Sequence, residues 1–133
     1  MGDRANIVFT GDVFPSPLFM YTHWSGSEIK AILQKGLERG RPRWSDGQYL
    51  ARIVFCAMIE ADVTGETGYG LSTQLCDNEH PLLVVDVDKQ EVRQTEAVRG
   101  DDKPPLSGTV LARWGFTEFI ADDFEQEAEE EED

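Results

Sequence analysis

Two short apolar runs separated by glycine and proline open the chain. The runs cover residues 6–10 and 18–22, and the connection between them contains Gly11, Pro15 and Pro17. Two apolar segments around a Gly/Pro connection are typical of an antiparallel hairpin. We therefore predict that the fold begins with two paired strands.

Helical periodicity follows the hairpin. Ser25 and Glu28 have the spacing of a capping box, and apolar residues then recur at helical intervals from Ile29 to Leu37. Ser45 and Gln48 have the same spacing before a second apolar stripe. The second stripe consists of Leu50, Ile53, Val54, Ala57, Met58 and Ala61. We predict two consecutive amphipathic helices.

Strand patterns return after the second helix. Residues 71–76 alternate between apolar and polar positions, residues 82–87 form the most apolar run, and residues 91–95 and 109–114 complete the set. A short amphipathic piece follows at residues 116–124. This order predicts an α+β fold, with a mostly antiparallel sheet of about five to six strands and the two consecutive helices packed on one face.

The charge of the chain divides it into a body and a tail. The 133 residues carry a net charge of −14, and nine of the thirteen residues from 121 to 133 are acidic. Such a segment has too few apolar residues to pack. We predict a single α+β domain over residues 1–120 and a disordered acidic tail over residues 121–133. Without the tail acids the body carries about −5, a value typical of small soluble proteins.

This composition excludes several classes of function. Direct binding to a nucleic-acid backbone needs a concentrated cationic face, and anionic membranes need one as well. An acidic protein can instead contact a basic partner surface, or occupy a groove meant for nucleic acid as a decoy. No apolar run approaches the length of a membrane span, and a cytoplasmic location is the simplest expectation.

The cysteine and histidine content gives no sign of a disulfide scaffold, a metal centre or a cofactor. Cys56 and Cys76 are the only cysteines, and Cys56 is predicted to be a buried small apolar residue. The chain lacks the paired ligands of a zinc site. Asp86 and Asp88 have the spacing of a carboxylate pair, which is more typical of a solvated hairpin than of a cation site. The glycines of residues 65–70 fit no phosphate-binding fingerprint.

Several segments resemble a group of small, uncharacterised bacterial and phage proteins. The resemblance rests on the opening Met-Gly-Asp-Arg-Ala-Asn at residues 1–6 and on Tyr-Thr-His-Trp-Ser-Gly at residues 21–26. Similar stretches are residues 43–46, 65–70 and 77–79. The resemblance implies a bacterial or phage cytoplasmic setting and transfers no activity.

His23 is the main candidate for a ligand-binding or catalytic residue. If residues 18–22 form a strand, Tyr21 and His23 share one face, and His23 lies just before the first helix. With Trp24 for stacking and Tyr21 as a donor, His23 could bind a phosphate-bearing ligand or act as a general acid or base. The alternative is a histidine that is hydrogen-bonded into the strand–helix corner.

A second group of polar residues begins the second helix. Arg43 and Asp46 precede it, and Tyr49 and Arg52 follow one turn apart. Arg52 lies among apolar residues, so burial would require a carboxylate partner. The alternative is an anion-binding arginine in the same cleft as His23. The possible partners of Arg52 are Asp46, Glu28 and Asp77. The full set of candidate ligand-binding residues is Tyr21, His23, Trp24, Glu28, Arg43, Asp46, Tyr49, Arg52, Asp77 and Glu79.

Three functional hypotheses follow. The first is a small acidic binding module, an inhibitor or sequestering protein, that contacts a basic partner protein or captures a small anionic ligand near His23 and Arg52. The second is a small hydrolase that uses His23 as acid–base with a nearby carboxylate. The third is a structural protein that self-associates through a sheet edge, for which an exposed apolar patch would be the sign.

Overall fold

The protein folds around one six-stranded sheet. A computed structural model describes residues 2–75, 78–97 and 106–124. The strands are β1 (Ala5–Gly11), β2 (Phe14–Thr22), β3 (Tyr69–Ser72), β4 (Leu82–Asp86), β5 (Glu91–Thr95) and β6 (Val110–Gly115). The helices are α1 (Ile29–Arg39), α2 (Gly47–Ile59) and α3 (Phe116–Ala121). The strand order is β3-β2-β1-β4-β5-β6. Only the β1–β4 pair is parallel within the described ranges, so the predicted α+β class and mostly antiparallel sheet are confirmed.

The helices cover one face of the sheet. Alternate strand residues point to opposite faces, and Phe9 of β1 and Val85 of β4 are fully buried beneath the helices. Leu37 of α1 and Val54 of α2 belong to the same core cluster. The predicted packing of two consecutive helices on one face is therefore confirmed. The short helix α3 joins this core through Phe119.

The other face of the central strands is also buried. Val8, Phe19 and Val84 form a smaller cluster with Leu82. Partly buried residues that pack against it come from the connecting segments: Leu75, Ala97 and Leu106. Burial on both faces explains why residues 82–85 of β4 are all apolar rather than alternating.

The two edge strands carry exposed apolar side chains. Leu71 on β3 is 55% exposed, and Val110 and Leu111 on β6 are 37% and 48% exposed. Because β3 and β6 are at opposite edges, and successive β6 residues point to opposite faces, these three side chains form no single patch in the described structure.

Neither predicted capping box forms. A single 3-10 turn at Gly26–Glu28 precedes α1, so Ser25 lies before that turn and its side chain makes no cap hydrogen bond. Helix α2 begins at Gly47, so its N-cap residue is Asp46 and Ser45 lies one residue too early. The start of α1 is instead stabilised from far away in the sequence, by the carboxylate of Asp3.

The packed chain extends past the predicted domain end at residue 120. Phe124 is 7% exposed, and its ring lies 4.9 Å from that of Phe119 and 5.7 Å from that of Trp114. The remainder of the predicted tail, residues 125–133, lies outside the described residues. None of the described helices has the length and apolar character needed to cross a membrane.

Candidate functional site

The N-terminal segment, residues 2–4, joins three parts of the fold at one end of the sheet. The Asp3 N–H donates to the carbonyl of His23 (2.7 Å), and the Gly26 N–H donates to the carbonyl of Asp3 (2.8 Å). Arg4 exchanges hydrogen bonds with Glu79: the Glu79 N–H donates to the Arg4 carbonyl (2.9 Å), and the Arg4 N–H donates to the Glu79 carboxylate (3.1 Å). The segment therefore holds together the end of β2, the start of α1 and the loop before β4.

Asp3 uses both of its carboxylate oxygens. Oδ2 accepts hydrogen bonds from the Ser27 N–H (2.8 Å) and the Ser27 hydroxyl (2.6 Å). Oδ1 lies 2.5 Å from Nε2 of His80, and we call this contact the Asp3–His80 pair. Burial raises the pKa of the Asp3 carboxyl, but the hydrogen bonds from Ser27 and His80 outweigh that effect and lower the pKa to about 2. The ionised carboxylate thus fixes the orientation of the His80 ring.

An open groove begins beside this pair. Its volume is about 1290 Å³. It runs along α1, and its walls also include residues from the end of α2 and from α3. His80 and Ser27 line it at the start of α1, and Tyr69 and Lys30 contribute further side chains. Within the described ranges, His80 Nδ1 makes no hydrogen bond to the protein, so this nitrogen can serve a ligand.

Tyr21 and His23 meet on one face, as the strand pattern predicted, and the ring of Trp24 also contacts His23. The Tyr21 hydroxyl and His23 Nδ1 are hydrogen-bonded at 2.8 Å. The His23 and Trp24 rings lie 5.6 Å apart, and Trp24 meets the ring of Tyr69 at 6.0 Å. Trp24 is 50% exposed. Two further candidates lie at the same end of the molecule, because Glu79 contacts Arg4 and Glu28 lines the groove.

The candidates of the second helix lie elsewhere. A side chain added at Gly47, the first residue of α2, would meet Val13 and Phe14 at the far end of β2 from His23. β2 is nine residues long, about 30 Å. The structure therefore does not bring Arg43, Asp46 and Tyr49 together with His23.

Arg52 is exposed on the outer side of α2. Its one polar side-chain contact within the described residues is a 3.9 Å approach to Cys56 Sγ, so the predicted buried ion pair is absent there. Exposure removes the desolvation cost that would have required such a partner. Cys56 is exposed as well. The prediction that it is buried in the core was wrong, because it lies on the outer side of α2. Asp77, the other proposed partner, lies outside the described residues.

Sequence reasoning missed Asp3, Ser27 and His80 as a group. Asp3 and His80 are 77 residues apart in the chain. They meet because β1 and β4 are parallel neighbours, so the residues that precede each strand lie at the same end of the sheet. No local pattern in the sequence indicates this contact. The structure shows how closely the segments pack, because a Cβ atom at Gly26 would lie 2.6 Å from both the Asp3 carbonyl oxygen and the His80 ring.

Asp86 and Asp88, near the other end of the sheet, accept hydrogen bonds from the backbone of turns. The Asp86 carboxylate accepts the N–H groups of Asp88 and Lys89, both at 3.1 Å, and Asp88 accepts the Asp12 N–H at 2.8 Å. No group of three His, Cys, Asp or Glu side chains in the described ranges has the arrangement to hold a metal ion.

The Asp3 contacts predict a pH-dependent stability. A folded-state pKa of about 2, against an ordinary value of 3.8, means that the ionised carboxylate stabilises the fold above pH 3.8 and that this contribution is lost as the pH falls towards 2. Because the Asp3 side chain is 34% exposed, screening by water reduces the effect to about 1 kcal/mol. We expect Asp3→Asn to lower the free energy of unfolding by that amount at neutral pH, measured by urea denaturation, and to have little effect near pH 2.

The control is Asp12→Asn, since the Asp12 side chain is exposed and forms no ion pair within the described residues. It should change stability little at any pH. An Asp3→Asn effect that stays constant from neutral pH to pH 2 would contradict the assigned role of the carboxylate.

Comparisons with known proteins add no further identification. No protein-family model, no curated protein and no solved structure matches the chain. The resemblance to the group that shares the Met-Gly-Asp-Arg-Ala-Asn opening stays a prediction, and function rests on the site itself.

Proposed function

We propose that the protein is a small binding module that captures a small anionic ligand in the groove beside the Asp3–His80 pair. The observation that carries this proposal is a histidine oriented by a carboxylate, with its second ring nitrogen unused by the described protein and its side chain on the wall of an open groove. Pockets with a few oriented polar groups are the usual form of small-molecule sites. In line with the sequence, we assign this function to the cytoplasm of a bacterium or a phage-infected cell.

The charges around the groove support an anion. Lys30 lies in the first turn of α1 and, like Ser27 in the preceding 3-10 turn, lines the groove. Its ammonium group lies over the Phe124 ring, 4.8 Å from the ring centre, and has no carboxylate partner among the described residues. The groove acid Glu60 is already paired with Lys35 (2.5 Å) and Arg39 (2.7 Å).

The other acidic residues of the groove wall are Glu38 and Glu28. Glu38 is paired with Arg41 at 2.8 Å. The acids that oppose an anion near the start of α1 are Glu28 and Asp3, and the Asp3 carboxylate is already bonded to Ser27 and His80. Tyr69 provides an aromatic surface for the organic part of a ligand. The alternative of a basic partner protein depends mainly on the acids of residues 125–133, which lie outside the described structure.

The second candidate is a small hydrolase, and the same pair of residues favours it. A carboxylate bonded to one histidine nitrogen leaves the other nitrogen to accept a proton from water. The acid–base group would then be His80 rather than His23. The Ser27 hydroxyl donates to Asp3 and not to His80, so water, and not Ser27, would be the attacking group.

The test of the binding function is a titration with inorganic phosphate and with a nucleoside monophosphate, followed by NMR of the histidine ring signals. We expect the His80 signals to move and His80→Asn to weaken binding at least about tenfold, a loss of about 1.4 kcal/mol. His23→Asn is the matched control, because His23 is the only other histidine of the chain and is bonded to Tyr21. It should leave the affinity unchanged.

Two results would reverse these assignments. Equal affinity in His80→Asn and the unchanged protein, or movement of the His23 signals alone, would contradict the proposed site. Release of phosphate from an aryl phosphate that disappears in His80→Asn and persists in His23→Asn would favour the hydrolase instead.

A further inference from the structure

Positive charge is concentrated in the helical layer of this acidic protein. Residues 29–59 contain six Lys and Arg residues and two Asp and Glu residues, a net charge of +4. The remainder of the chain therefore carries −18. A cationic region in such a background is a local feature that overall charge conceals.

Three of these six cations form close ion pairs within the fold. Lys35 and Arg39 both pair with Glu60 and so connect α1 to the end of α2. Arg41 pairs with Glu38 at 2.8 Å. Of the other three, Lys30 lies at the groove, Arg43 lies just before α2 and Arg52 lies in the middle of α2.

Arg43, Tyr49 and Arg52 form one exposed surface, which we call the arginine–tyrosine face. The Arg43 guanidinium lies over the Tyr49 ring, 5.1 Å from its centre, while its ion pair with Asp46 is long at 4.0 Å. Tyr49 is 54% exposed, and Arg52 lies three residues further along the same side of α2. The opposite side of the helix is buried in the core through Leu50 and Val54.

The two arginines of this face are weakly paired. Arg52 has no carboxylate within reach among the described residues, and its one polar side-chain contact there is Cys56 Sγ at 3.9 Å. Stacking on Tyr49 orients Arg43, so less side-chain entropy is lost when it binds. Two guanidinium groups beside an exposed phenol are a combination enriched at protein interfaces.

We propose that the arginine–tyrosine face docks an acidic segment of a partner protein. Guanidinium groups bind carboxylates through paired hydrogen bonds, and Tyr49 offers contact area for an apolar residue between two acids. A nucleic acid fits less well, because its denser and longer run of negative charge is repelled more strongly by the remaining −18 charges than a short segment with a few acids, and Asp46 lies within the face. This site is separate from the groove and does not depend on the function proposed there.

The test uses a short fluorescent peptide that alternates glutamate with leucine, and its matched peptide with glutamine in place of glutamate. We expect the acidic peptide to bind the full chain, as measured by anisotropy, and to bind more weakly as salt is added. The double variant R43Q/R52Q should lose affinity at least about tenfold. Its control is the double variant K89Q/R113Q, which removes the same charge elsewhere on the surface.

Each other result would overturn the proposal. Equal loss in the two double variants would indicate general electrostatics, and no binding of the acidic peptide, or equal binding of the glutamine peptide, would exclude the docking of acidic segments. Tighter binding of single-stranded RNA than of the peptide would assign the face to nucleic acid. Urea denaturation of both double variants, with unchanged midpoints expected, separates loss of binding from loss of the fold.

Discussion

Replacing Phe9 by alanine is expected to lower the free energy of unfolding by about 3–5 kcal/mol. Phe9 is fully buried in the core beneath the helices, and its ring meets that of Phe14 edge-to-face at 6.0 Å. Truncation removes buried apolar area and leaves a cavity that the surrounding strands cannot close. Because total stabilities are about 5–15 kcal/mol, this loss should be visible as a large shift in a urea denaturation curve.

The matched control is Tyr49→Ala, which also removes an aromatic ring. Tyr49 is 54% exposed, so we expect a change within about 0.5 kcal/mol. Similar losses in the two variants would mean that Phe9 is not part of a close-packed core.

Gly36→Ala is expected to destabilise the protein by about 2 kcal/mol, although alanine is the better helix former by about 1 kcal/mol. A Cβ atom at Gly36 would lie 2.8 Å from both Cα and Cγ2 of Val54. Backbone atoms and a β-branched side chain cannot move aside, so α1 and α2 must separate. Thermal unfolding followed by circular dichroism would measure the loss.

Gly47→Ala makes the same chemical change where the three nearest atoms belong to side chains and none to the backbone. There the Cβ atom would approach side-chain methyl groups, Val87 Cγ2 at 2.9 Å and Val13 Cγ2 at 3.0 Å, and Val13 is 45% exposed. We expect a clearly smaller effect. A neutral or stabilising Gly36→Ala would argue that the two helices do not touch at this point.

Elements set by neighbouring residues were predictable from the sequence. The antiparallel pairing of β1 and β2 was predicted, but β2 begins at Phe14, so Pro15 and Pro17 lie inside the strand and not in the connection. β5 has the predicted bounds Glu91–Thr95. The period of two correctly put Tyr21 and His23 on one face. In each case the information lies within about ten residues, which is the range over which turn chemistry and side-chain alternation act.

Features that depend on distant pairing were not predictable. No local pattern states that β1 and β4 are parallel neighbours, so nothing in the sequence joined Asp3 to His80. The same limit applies to the start of α1, where Ser25 suggested a local cap and the carboxylate comes from Asp3. The direction of α2 relative to β2, which separates Arg43 from His23, is likewise set by core packing rather than by sequence spacing.

The parallel pairing at the centre of the sheet also affects synthesis of the chain. Ile7 of β1 pairs with Leu83 of β4, 76 residues later, so a ribosome must make most of the protein before the central ladder can close. Until then β1 can pair only with β2, and its other edge offers free backbone groups beside apolar Val8 and Phe9. Closing such a distant contact slows folding. The nascent chain therefore passes through an interval in which this edge of β1 is open to pairing with other chains. The interval ends when β4 has emerged from the ribosome and can pair with β1.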